Sequence, residues 1–98
     1  MANKRDEELR MMIASVNEVL KFIKENPNCS EEEAIAHMIN MIRAQEKIKM
    51  IGLAATSLAL GYRRGKKMAK DKEIFQFILD KSTEIINSVD SEENGNKG

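Results

Sequence analysis

The chain has 98 residues, of which 42% are apolar and 33% charged, and its 16 basic and 16 acidic side chains give a formal charge of zero. That suffices for one domain around one modest core and leaves no room for a multidomain enzyme or a repeat array. Only 4% of the residues are aromatic, none of them Trp, and there are 5 Gly and 1 Pro, so the turn-rich, β-branched texture of an all-β domain is missing and the expected class is all-α.

The first helix is expected over 6–25. Leu9, Ile13, Val16, Leu20 and Ile23 recur at alternating spacings of four and three, with Met12 and Val19 beside them, which places them on one helical face. Asp6, Glu7 and Glu8 stand at the positive end of the helix dipole, and Lys21 and Lys24 at the negative end. Met11, Ser15, Glu18 and Phe22 form a second line off the main stripe. Asn26-Pro27-Asn28 ends the helix, because Pro disfavours the α conformation in the residue before it.

Ser30-Glu31-Glu32-Glu33 has the pattern of a capping box and opens a second helix. Ala34, Ile35, Met38, Met41 and Ile42 form its first stripe, whereas almost every residue from Ile48 to Tyr62 is apolar or small. The apolar face turns by roughly a quarter of a revolution near residue 48. Read as continuous over 31–61, this central helix would measure about 46 Å at 1.5 Å per residue, too long for its flanking helices to cover. It is therefore expected either to bend or divide at Gly52 or to pack its two halves against different partners, the first helix on one end and the last on the other, and a second copy would help in both cases. Gly61 and Gly65 mark its end. The last helix is expected over 71–89, with Asp71 as N-cap and Phe75, Ile78, Leu79, Ser82, Ile85, Ile86 and Val89 on one arc. Residues 90–98 hold no apolar side chain and read as a disordered acidic tail.

The inventory disfavours enzymology: one His and one Cys supply neither a nucleophilic triad nor a zinc or phosphate-loop signature. Glu33, His37 and Met41 lie at i, i+4 and i+8, at most part of a metal site that wants three or four convergent ligands. His37 therefore reads as a partly buried helix residue, and no metal or cofactor is expected. Cys29 reads as a small side chain packed back on the helix that follows it. A lone cysteine forms no internal disulfide, and the charged opening leads into no signal-peptide core, which fits a cytoplasmic protein.

Charge is unevenly placed: residues 1–40 carry a net −3, residues 41–72 a net +7 and residues 73–98 a net −4. Six of the ten residues from Arg63 to Lys72 are cationic, and Arg63, Arg64, Lys66, Lys67 and Lys70, with Tyr62 beside them, are the candidate partner-binding group. Phe77 lies about 200° around the helix from Phe75, so the two cannot share one core, and Phe77 joins that group. The charge-free run 50–62 is too short to cross a bilayer, and a helix apolar all round must be buried all round, which makes Ile51, Ala55, Leu58 and Ala59 a candidate self-association seam.

These readings describe one helical domain over residues 1–89, a bundle of three helices with a long central one, or four if that helix divides near Gly52. The expected protein is a non-enzymatic interaction or regulatory module, homodimeric through its central helix, with a protein partner held by Phe77 and the basic loop. One alternative is a nucleic-acid-binding accessory protein using the Arg63–Lys72 segment, for which steep salt dependence would be diagnostic. The other is a peripheral membrane-surface protein.

Overall fold

A computed structural model describes the backbone of residues 4–42 and 46–95 and the side chains of residues 6–42 and 46–89. Its elements are four helices: α1 (Lys4–Glu25), α2 (Glu31–Met41), α3 (Glu46–Gly65) and α4 (Asp71–Gly95). The expected all-α class holds, and the central helix is divided.

The division does not fall at Gly52. Helix α2 stops at Met41, and Ile42 takes an extended conformation (φ −89°, ψ 110°) while its N–H still donates to Met38 O. No Gly or Pro lies between Asn40 and Lys47, so no local breaker dictates this stop. The shift of apolar face does: a straight helix would aim its two halves at different neighbours, whereas a reversal after Met41 brings α3 back along α1. Gly52 sits inside α3, buried against α1, and a Cβ there would collide with Ser15 Oγ and lie 3.2 Å from Ser15 Cβ. Its role is close helix approach.

Helices α1 and α3 form the central and most extensive pair. Helix α2 packs on α1 and touches α3, helix α4 packs on α3 and touches α1, and α2 and α4 make no contact among the described residues. On α1 the buried side chains are Glu8, Met12, Ser15, Val16, Val19 and Leu20, while Leu9, Ile13 and Ile23 are half-buried. The buried arc is thus rotated from the expected stripe toward Ser15, because α1 is covered by α3 on one flank and α2 on the other. On α4, Ile74 joins Ile78, Ile85, Ile86 and Val89 in the core, and Leu79, expected inside, is 44% exposed. Helix α4 also continues through Asp90–Gly95, where a disordered tail was expected; extending an existing helix adds one hydrogen bond per residue fixed and needs no new nucleus. Residues 96–98 lie outside the described residues.

The four helices are two copies of one hairpin, repeated forty residues apart. Helices α1 and α3 end at Glu25 and Gly65, and α2 and α4 begin at Glu31 and Asp71. The turns share their bonding: Asn26 N–H donates to Phe22 O and Lys66 N–H to Tyr62 O, both at 2.9 Å, and Cys29 N–H to Asn26 O and Ala69 N–H to Lys66 O at 2.9 and 3.0 Å. Buried Ala34 and Met38 on α2 recur as buried Ile74 and Ile78 on α4. A ring stack clips each hairpin shut, Phe22 on His37 and Tyr62 on Phe77, both with centroids 4.5 Å apart.

Two ion pairs cross between the hairpins and obey the same relation. Lys24 at the end of α1 meets Asp71 at the start of α4, and Arg64 at the end of α3 meets Glu31 at the start of α2 at 3.4 Å. Both turns therefore gather at one end of the molecule, and α1 and α3 reach that end side by side. This reciprocity, in which each half offers the other the same contact, is that of an isologous dimer interface, here joined into a single chain.

Candidate functional site

The cationic segment is divided among three pieces of structure. Arg63 and Arg64 occupy the last turn of α3, where the dipole favours positive charge, Lys66 to Lys70 form the turn, and Lys72 begins α4. Arg64 is held by Glu31, and Lys66 Nζ lies 3.4 Å from Tyr62 Oη and 5.1 Å from the centre of its ring. Arg63, Lys67 and Lys70 make no ion pair or hydrogen bond through their side chains among the described residues, and all three are exposed. Arg63, Arg64 and Lys67 line a shallow concavity of about 380 Å³. At the tip of the turn, Met68 is 92% exposed, a residue the sequence analysis did not single out.

Phe77 and Tyr62 lie beside this turn in a different role from the one expected of them. Their rings are half-buried and stacked on each other, against the main core cluster. Phe75 and Phe77 do flank the buried Ile74 and Ile78 on opposite sides, as their spacing requires, and each finds cover within the chain: both pack on the main core cluster, Phe75 across a groove from Leu9 and Ile13 of α1 and Phe77 stacked on Tyr62. With Phe77 on its ring and Lys66 over it, Tyr62 is not presented for stacking on a base.

The proposed seam on α3 is mostly interior to one chain. Ile51, Ala55 and Ala59 have at most 1% exposure, covered by α1 and α4, whereas Leu58 is 40% exposed. The surplus of apolar surface that called for a second copy at those three residues is met internally. Another apolar surface remains open: Ile39, Met50 and Leu53, with Glu46 and Lys49 at the edge, line a groove of about 530 Å³ between α2 and α3. Its counterpart forty residues away is the groove between α1 and α4, where Leu9, Ile13 and Phe75 lie.

His37 Nε2 lies 3.1 Å from Glu18 Oε1, and its ring stacks on Phe22. The second hairpin places Leu58 and Phe77 at the equivalent positions, so stacking is what the fold demands there and the polar pair is particular to the first half. Met41, 56% exposed, does not join a donor set with them, and no three His, Cys, Asp or Glu side chains among the described residues could hold a metal. Cys29 is half-buried against the cluster of Val19, Ala34, Met38 and Leu60, in the packing role expected for it. No described helix is long and apolar enough to cross a membrane. The chain matches no known family, no curated protein and no solved structure.

Proposed function

We propose that this protein is a non-enzymatic helical interaction module, regulatory in character, whose contact surface is the cationic α3–α4 turn. Arg63, Lys66, Lys67 and Lys70 present positive charge to an acidic partner, with Arg64, paired to Glu31, beside them, and the Tyr62–Phe77 stack holds the turn against the bundle. The observation that carries the reading is segregation: a chain of zero net charge gathers six of its cations within ten residues, at one end of the molecule, and Arg63, Lys67 and Lys70 among them have no side-chain partner among the described residues. Such a patch attracts anionic partners regardless of the overall balance. A lone half-buried thiol suits a reducing, cytoplasmic setting.

Retention on immobilised heparin tests this. A neutral protein with dispersed charge passes through, whereas the segregated turn holds the chain until salt screens it. The triple variant Lys66→Ala, Lys67→Ala, Lys70→Ala should elute much earlier with unchanged helicity, and a wild-type chain that is not retained at low salt refutes the proposal.

A second reading, self-association, is favoured by the groove between α2 and α3. Ile39, Met50 and Leu53 are each exposed by 36% or more and adjoin one another, which is the signature of an apolar contact surface rather than of scattered surface residues. Dimerisation belongs there, and Leu58 offers a further apolar contact on the same helix.

A further inference from the structure

We infer that the α3–α4 turn docks on an anionic lipid surface, with its lysines at the headgroup phosphates and the Met68 side chain inserted between headgroups. This rests on the reading above that the turn is the contact surface, and it names the class of partner.

The repeat supplies an internal control. Both turns adopt the same backbone with the same hydrogen bonds. The first does so with Asn26-Pro27-Asn28-Cys29-Ser30, which holds no ionised side chain, and the second with Lys66-Lys67-Met68-Ala69-Lys70. The fold therefore requires neither the three lysines nor the methionine. Lys70 in fact works against the fold. It occupies the N-cap position of α4, where its carbonyl accepts from Glu73 and Ile74 N–H at 2.9 and 3.2 Å. The lysine side chain offers no acceptor to the first-turn N–H groups, so that Glu73 N–H turns to the Lys70 carbonyl instead, and it adds positive charge at the positive end of the dipole. The first hairpin has Ser30 at that position in a complete capping box. Residues that break local rules without a structural return mark function.

The chemistry of the turn selects the partner. Met68, at the outermost point and 92% exposed, stands among cations, so the matching surface is anionic outside and apolar just beneath. A bilayer interface with acidic lipids has that layering. A nucleic acid offers phosphates with no apolar layer behind them, and Tyr62, covered by Phe77 and Lys66, is not available to its bases. The first turn of α2, beside that loop, is acidic, but Arg64 pairs with Glu31 and the capping box occupies Glu33. Glu25 and Glu32 remain outward, so the molecule meets the surface tilted toward the second turn.

Cosedimentation of the full chain with vesicles of phosphatidylcholine, alone or mixed with phosphatidylserine, tests the inference. Binding should appear only with the mixed vesicles and fall with salt. Lys67→Ala and Lys70→Ala should each weaken it about fivefold. Met68→Ser should weaken it about threefold to tenfold with helicity unchanged, because the lost apolar contact is partial, and Met68→Trp should tighten it. Retention on heparin without vesicle binding overturns the lipid assignment alone, whereas loss of both overturns it together with the contact surface. Tighter binding to duplex DNA or to polyglutamate than to mixed vesicles assigns the turn to nucleic acid or to an acidic protein instead, and a Met68→Ser variant that binds like the wild type refutes insertion.

Discussion

At the N-caps of α2 and α4 the chain makes opposite choices at equivalent positions. Ser30 Oγ accepts from Glu33 N–H at 3.1 Å, and Glu33 Oε1 accepts from Ser30 N–H at 3.1 Å. Lys70 provides neither contact, although Glu73 stands ready three residues on. Because Ser, Asp and Asn caps are worth ~0.5–2 kcal/mol relative to residues that cannot cap, Lys70→Ser should raise the unfolding free energy by about 1 kcal/mol in urea titration. The same variant should bind anionic surfaces less well, a trade of function for stability. A Lys70→Ser protein no more stable than the wild type would show that the second turn is capped by other means. The Ser30 box was fully legible in the sequence, since it is local. The cap of α4 was not: Asp71 was the expected N-cap, and it is instead the first helical residue, drawn to Lys24.

Between elements, the crossed pairs Lys24–Asp71 and Arg64–Glu31 align two hairpins that apolar packing holds together. Their side chains are exposed by 66% and 37%, and by 67% and 38%. Charges so open to water are screened, and such pairs contribute under ~1 kcal/mol. A double-mutant cycle on Arg64→Ala and Glu31→Ala should give a coupling of about 0.5 kcal/mol that vanishes in 1 M salt. A coupling of several kcal/mol would mean that the pair, rather than the α1–α3 contact, fixes the angle between halves. The end of α1 and the start of α2 follow from residues adjacent in sequence, Asn26-Pro27-Asn28 and Ser30 with Glu33. The stop at Met41 does not, because no residue nearby disfavours helix and only the position of α1 makes the reversal favourable.

The whole molecule is a pseudo-two-fold assembly in which α1 and α3 form the axis and each hairpin completes the other's core. Val19 and Leu60, one from each half, meet α2 at Ala34 and Met38, while their counterparts Ala59 and Leu20 share the larger core with Ile74 and Ile78 of α4. A charge on the axis therefore damages both halves. Ala59→Glu, at a site 1% exposed, should unfold the chain or cost at least about 3 kcal/mol at any protein concentration, since a buried carboxylate lacks a partner there. Leu53→Asp, on the open groove, should leave the fold intact and shift solution mass toward the monomer. Ala59→Glu protein that stays folded while its mass halves would restore the seam along Ala55 and Ala59. A Leu53→Asp chain with unchanged mass would remove the groove from self-association.

Sequence by itself determined the helical class, the Asn-Pro-Asn turn, the capping box and the cationic segment, because each depends on residues within a turn or two of one another. The repeat was out of its reach: between residues 6 and 41 only Ala14, Leu20 and Glu33 meet the same residue forty positions on, and what is conserved between the halves is burial and bonding rather than identity. Tertiary structure alone decided that Ile51, Ala55 and Ala59 are dry within one chain, since covering them needs α1 and α4 on either side of α3. It also decided that Ser15, a small polar residue off the main stripe, lies directly against Gly52 where the two axial helices cross. Close packing rewards small size at such a crossing, and a hydrophobic pattern records only which residues avoid water.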